Sequence, residues 1–260
     1  MAISFVGPGK PLSQDGIDSS SELLAIAAPE VWTVLRVETS GFGYLADRRP
    51  AILFERHYFS RLTNHAYDAS HPGISNPLAG GYGAGGAHQY DRLNEALALD
   101  EQAALKSASW GIGQVMGDNF AAAGFQNVTA MVTALVAAED NQLSAVAHFI
   151  KGNGLASALA KHDWAAFARG YNGPSYAKNN YDKNLAEAYS ELSTGPLPDL
   201  IVRSAQVYLT YLGYDPGPID GRAGSKTISA LHSFQKDKGL TATNTINQGT
   251  VDVLAQALGL

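Results

Sequence analysis

"APEVWTVLRVETSGFGYLADRRPAILFE", residues 28–55, holds the transition on which the fold turns. Pro29 suits the first turn of a helix, where its missing N–H costs nothing. Val31, Val34 and Leu35 follow at i, i+3 and i+4 spacing, and Glu38 falls at i+7 on the same face. Two glycines, Gly41 and Gly43, then stop the pattern. "YLADRRPAILFE" (44–55) reads instead as a β-hairpin, with Asp47–Pro50 as its turn. Strict alternation puts Ile52 and Phe54 on one side and Leu53 and Glu55 on the other. A helix thus hands over to a small hairpin, with one carboxylate at the handover and another on the returning strand.

Glu38 is expected to favour its protonated form. A carboxylate on a core-facing stripe is partly desolvated, which raises its pKa. The negative end of the helix dipole disfavours a second negative charge there. A general acid acting on a glycosidic oxygen needs that state. The plain alternative is a solvated helix-end charge, since helix ends shift by one or two residues.

The rest of the first part reads as helix after helix. "QYDRLNEALALDEQAALKSA" (89–108), "MVTALVAAEDNQLSAVAHFI" (131–150), "GLASALAKHDWAAFARGY" (154–171) and "AKNNYDKNLAEAYSEL" (177–192) all keep helical spacing. Between the hairpin and these helices lies a long Gly-rich loop, 64–87, of a length that in compact domains is often functional or mobile. "LSTGPLPDL" (192–200) reads as a linker. The division is therefore 1–193, a linker at 194–199, and 200–260. The fold class is mainly α, an α+β helical domain with a small β-hairpin, followed by a small three-helix domain.

The bulk properties exclude several classes. The chain has 260 residues, 45% apolar, no cysteine and a net charge of −6. Residues 200–260 carry five bases and four acids, so the acidity lies in the first part. A general nucleic-acid binder carries a basic surface instead. No run reaches the length of a membrane span. The start, "MAISFVGPGKPLSQDG", lacks the basic and apolar regions of a signal peptide. Neither disulfides nor thiolate metal sites are available. His57, His65, His71 and His88 lack the i, i+4 spacing of a helical zinc site and read as loop or surface histidines. "GYGAGG" (81–86) fits a dinucleotide-binding string, but no strand precedes it, so a flexible rim is the better reading. No metal and no cofactor are expected.

Two further segments carry candidate chemistry. "SASWGIGQVMGDN" (107–119) breaks a helical region with Gly111 and Gly113, where a backbone or ligand could approach closely, and places Gln114 after them. "FARGYNGPSY" (167–176) ends a helix with Tyr171, Asn172 and Gly173, a common helix terminus.

In this order, "ETSG", "SWGIGQVM" and "YNG" resemble the three-motif series of the soluble lytic transglycosylase and goose-type lysozyme superfamily. More closely, "VETSGFGYLADRRPAILFERHYFSRLT", "HPGISNPLAGGYG", "SASWGIGQVMGDN" and "DWAAFARGYNGPSYAKNNY" resemble the N-acetylmuramidase domain of modular bacteriophage endolysins, over about residues 10–192. The resemblance implies a lysozyme-like fold, with Glu38 as the catalytic acid, Gln114 and Asn172 as substrate contacts, and Tyr171 as a partner of the acid or the sugar. Glu55 departs from the single-glutamate pattern. As a second carboxylate it could activate water, as in inverting hydrolysis; a salt bridge to Arg48, Arg49 or Arg56 is the alternative.

"LGY", "IDG", "GSKTISALHSFQKDKGL" and "TVDVL" in 200–260 resemble the three-helix peptidoglycan-binding module of cell-wall enzymes. Thr227, Ala230, Leu231 and Phe234 give its helix face. Tyr214, Asp220, Gly221 and Arg222 are the expected wall-contacting loop. The implied protein is an endolysin that cleaves the β-1,4 bond between N-acetylmuramic acid and N-acetylglucosamine. Peptidoglycan strands would be its partner, and it would act as a monomer without inserting into a membrane. It would wait in the host cytoplasm for a separate permeabilising factor such as a holin. The alternatives are a lytic transglycosylase that leaves 1,6-anhydro ends and a non-catalytic wall-binding protein.

Overall fold

The computed structural model describes residues 4–38, 41–174 and 176–260, and at Glu38 the backbone alone. The chain opens with α1 (Gln14–Leu24) and α2 (Ala28–Glu38), then β1 (Ile52–Phe54), α3 (Arg56–Leu62), α4 (His88–Leu97) and α5 (Glu101–Lys106). Two short strands follow, β2 (Ala108–Trp110) and β3 (Val115–Met116). Then come α6 (Val128–Ala137), α7 (Glu139–Gly152), α8 (Ala156–Ala160), α9 (Trp164–Asn172) and α10 (Tyr181–Thr194). The last three helices are α11 (Leu200–Tyr211), α12 (Ser225–Asp237) and α13 (Gln248–Ala257). The architecture is mainly helical, with one small sheet.

The stripe on α2 packs as its spacing dictates. Val31, Val34 and Leu35 are buried. The helix is anchored at both ends. Near its start the His162 ring meets the Glu30 carboxylate at 2.8 Å. Near its end Arg36 pairs with Glu191 of α10 at 2.6 Å. These pairs add to the buried stripe that seats the helix.

The sheet differs from a simple 44–55 hairpin. The first arm makes only a bridge, Tyr44 to Pro50. β1 pairs instead with β2, antiparallel, Ile52 opposite Trp110 and Phe54 opposite Ala108. β2 turns back into β3, so the order is β1-β2-β3. The segment 107–119 is thus itself a hairpin. The reason is burial: Ala108, Ser109 and Trp110 are all sequestered, and a strand inside the core shows no alternation to read. The alternation on β1 holds, since Ile52 and Phe54 are buried and Leu53 and Glu55 are not.

Several long helical patterns divide where a capping residue intervenes. The Asp100 side chain accepts from the Ala103 N–H and separates α4 from α5. Ala138, in extended conformation, separates α6 from α7. There the Lys10 strand segment inserts, its N–H donating to Ala137 O at 3.0 Å and its carbonyl accepting from Glu139 N at 2.9 Å. Asp163 caps α9 and Asp199 caps α11.

α7 runs through the middle of the first domain. Its buried residues include Leu143, Val146 and Ile150, and also Glu139 and Gln142. The second core, around Leu209, Leu231, Phe234 and Leu254, is formed by α11, α12 and α13, with Phe42 from the first part packed against it.

Candidate active site

The junction that follows Glu38 is built from backbone. Ala51 N donates to Gly43 O at 2.9 Å, and Gly111 N donates to Ala51 O at 2.8 Å. These two bonds bring the chain after α2, the start of β1 and the β2–β3 turn to one corner. Buried Gln142 holds this corner from α7. Its Oε1 accepts from Ile112 N at 2.7 Å, and its Nε2 donates to Leu135 O at 2.9 Å. A Cβ at Gly43 or at Gly111 would overlap the Gln142 side chain, at 1.8 and 2.6 Å. Gly111 also has φ +68, a conformation that favours glycine.

Gln114 and Tyr171 meet at this corner. Gln114 is exposed, with φ +49. Its Nε2 donates to Gly111 O at 2.8 Å and to Ala51 O at 3.2 Å, and its Oε1 accepts from Ser109 at 2.8 Å. The Tyr171 hydroxyl donates to Gly113 O at 3.1 Å, and its ring stacks on Phe167, 5.6 Å between centroids. Asn172 is the last residue of α9, and Gly173 with φ +79 turns the chain away. The Glu38 side chain lies outside the described residues.

Glu55 stands at the other end of β1. Four residues at a rise of about 3.3 Å separate it from Ala51 by roughly 13 Å. Its N–H donates to Ser107 O at 2.8 Å. None of the arginines weighed as partners makes a salt bridge to it among the described residues; His57 Nδ1 lies 3.1 Å from Glu55 Oε2. That approach is outside hydrogen-bond geometry. Desolvation first, then the nearby Glu55 charge, raise the Tyr82 pKa above its ordinary value. His57 is thus a close neighbour of Glu55 rather than a solitary surface residue. Only its position two residues beyond Glu55 hinted at this.

The Gly-rich loop that carries Tyr82 is tied down rather than loose. Arg92 donates to Tyr82 O at 2.9 Å and to Gly73 O at 2.8 Å. Gln89 donates to Tyr82 O and Ala84 O, each at 2.7 Å. Arg56 donates to Leu78 O at 3.1 Å. The side chains of α3 and α4 supply the partners that the loop's own backbone lacks. Among the described residues no three or more His, Asp or Glu converge to hold a metal, and no helix is long and apolar enough to cross a membrane.

In the second module, Gln206 organises the expected wall-contacting loop. Its Oε1 accepts from Asp220 N at 3.1 Å and Gly221 N at 2.9 Å, and its Nε2 donates to Arg222 O at 3.1 Å. Asp220 and Arg222 are exposed. They line a cavity of about 480 Å³ together with Trp32, Arg36 and Ile219, so the loop faces the first domain. This cavity does not include Gln114, Tyr171 or Glu55. Tyr214 lies apart, its hydroxyl donating to Asp237 at 2.9 Å. A groove between α12 and α13, rimmed by exposed Leu240 and Val253, carries no signal that patterning singled out.

The fold is of lysozyme-like class, mainly helical with a three-stranded sheet, joined to a three-helix module. The N-acetylmuramidase family model matches residues 27–193, and a peptidoglycan-binding domain model matches residues 199–254. The crystal structure of the Burkholderia AP3 phage endolysin is similar, with 36% identity and a TM-score of 0.67, covering 71% of this chain and 72% of that one. No curated protein matches. The chain belongs to the N-acetylmuramidase family. It is a muramidase-type glycoside hydrolase of modular, endolysin-like architecture that acts on peptidoglycan.

Proposed function

We propose that the chain hydrolyses the β-1,4 bond between N-acetylmuramic acid and N-acetylglucosamine, with Glu38 protonating the leaving oxygen. One observation carries this reading. α2 ends at Glu38, five residues before the Gly43–Ala51–Gly111 junction where Gln114 and Tyr171 meet. Gln114, Tyr171 and Asn172 orient the glycan. Glu55 positions the attacking water from the other end of β1. Residues 1–193 form the catalytic domain and 194–199 the connection. Residues 200–260 hold the enzyme on the wall through Tyr214, Asp220, Gly221 and Arg222, which raises the local concentration of substrate. The protein acts as a monomer, released from the host cytoplasm by a separate permeabilising factor.

Glu38→Gln tests the acid. Loss of a general acid costs about 10²–10⁴ in rate. Clearance of purified peptidoglycan should fall by that factor while sedimentation with the wall persists. Parental clearance by this variant would remove Glu38 from the mechanism.

A second reading is favoured by one observation. Glu55 has the Tyr82 phenol and, 3.1 Å from its Oε2, the His57 ring as close neighbours. A lytic transglycosylase needs no second carboxylate, because the muramic 6-hydroxyl attacks intramolecularly. Glu55→Gln separates the readings: a fall of about 10² or more supports water positioning, whereas parental turnover supports the single-acid route.

A further inference from the structure

The segment from Gly41 to Gly43 is held by the second module as well as by its own domain. Arg203, on α11, is 1% exposed, and its partner Glu139, on α7, is fully buried. The pair is bidentate. Arg203 Nη1 donates to Glu139 Oε2 at 2.5 Å and Nη2 donates to Oε1 at 2.9 Å. Arg203 Nη2 also donates to Gly41 O at 2.6 Å. Glu139 Oε1 in turn accepts from Gly43 N at 3.0 Å, and Oε2 from Leu12 N at 3.0 Å. One guanidinium therefore fixes residue 41 directly and residue 43 through one carboxylate. The Phe42 ring lies between them, 5.8 Å from the Tyr211 ring, and packs on the second module's core. At Gly41 a Cβ would stand 3.3 Å from Ile219 O, so that module also abuts the segment sterically.

We infer that Arg203 is a positioning residue for the muramidase reaction. It reaches from the wall-binding module into the catalytic domain and fixes the segment 41–43 that leads from the acid into the sheet. The second module is then part of the support of the active site as well as an anchor. The guanidinium is suited to this because its planar fork serves two carboxylate oxygens and a carbonyl at once, which a lysine ammonium does not reproduce. The inference rests on Glu38 being the acid.

The test uses the full chain on a soluble, stem-free muramyl glycan oligomer, for which anchoring contributes nothing. Arg203→Lys keeps the charge and loses the fork. Arg203→Met with Glu139→Gln removes both charges and leaves neither buried alone, which guards against a variant that fails to fold. Both are read for kcat and KM separately, for thermal midpoint, and for sedimentation with insoluble wall. Small misplacements at a site cost rate more than binding, so kcat should fall about tenfold or more with KM within about twofold. Wall sedimentation should be unchanged. Lys226→Met, which removes an exposed cation of the same module, should keep kcat. Parental kcat in folded Arg203→Lys and in the double variant would overturn the inference. Glu38→Gln run alongside separates the two claims: if it retains parental kcat, the acid assignment fails instead.

Discussion

Replacing Gly113 with alanine should disturb the active-site corner by a route that can be traced atom by atom. A Cβ there would lie 2.0 Å from Val146 Cγ2 and 3.3 Å from the Tyr171 hydroxyl. Val146 is 2% exposed and cannot swing away into solvent. The β2–β3 turn must therefore move, carrying Gln114 and stretching the Tyr171–Gly113 bond. Overpacking of this kind costs about 1–3 kcal/mol, partly offset by roughly 0.4–1 kcal/mol from a stiffer unfolded chain. Val146→Ala alone should cost about 1–3 kcal/mol for two buried methyl groups. It also removes the atom that Gly113→Ala strikes. The double variant should accordingly be more stable than the two single losses added together, by about 1–2 kcal/mol. Urea unfolding of all four proteins gives the cycle, and turnover on a soluble glycan gives the functional half. A displaced turn should lower kcat by up to about 10²-fold, and the double variant should recover part of it. Additive stabilities with unchanged turnover would refute the argument that this contact sets the turn.

Two further outcomes follow from the packing and the charges. Gly221→Ala should weaken wall retention: Gly221 has φ +70, and a Cβ would meet the backbone N and O of Asp199, each at 2.8 Å. The left-handed conformation alone costs an alanine about 1–2 kcal/mol, and a module of this size has little margin. Sedimentation with purified wall should show the loss. Tyr44, Tyr90 and Tyr211 have phenol pKa values raised well above the ordinary 10, mainly by burial. A raised folded-state pKa means the native form keeps its proton longer. That stability is complete below about pH 10 and falls above it, by about 1.4 kcal/mol per pH unit for each tyrosine. Chemical unfolding between neutral and strongly alkaline pH should show the decline, and a flat profile would contradict it.

Much of the fold was legible because burial leaves periodic traces. The α2 stripe of Val31, Val34 and Leu35 could be read directly, as could the Ile52 and Phe54 face of β1. The β2–β3 hairpin could not, since buried strands do not alternate. Nor could the breaks at Asp100 and Ala138, where one residue's backbone conformation outweighs a helical pattern on either side. In the candidate site, Gln114 and Tyr171 were visible through motif order, and the structure brings them to one corner. Tyr82 and His57 were not, because each matters only through its proximity to Glu55, across a long loop and along a short helix. Arg203 and Glu139 were the least visible. A buried charge pair 64 residues apart looks in sequence like two ordinary surface charges, and only packing shows that both have left water.

Water, not a sugar hydroxyl, should complete the cleavage that Glu38 begins. Digestion of purified peptidoglycan in heavy-oxygen water, followed by mass analysis of the released fragments, tests this most directly. Hydrolysis gives muramic acid ends that are reducing and carry one heavy oxygen each. Fragments lighter by one water, with 1,6-anhydro ends and no label, would contradict it.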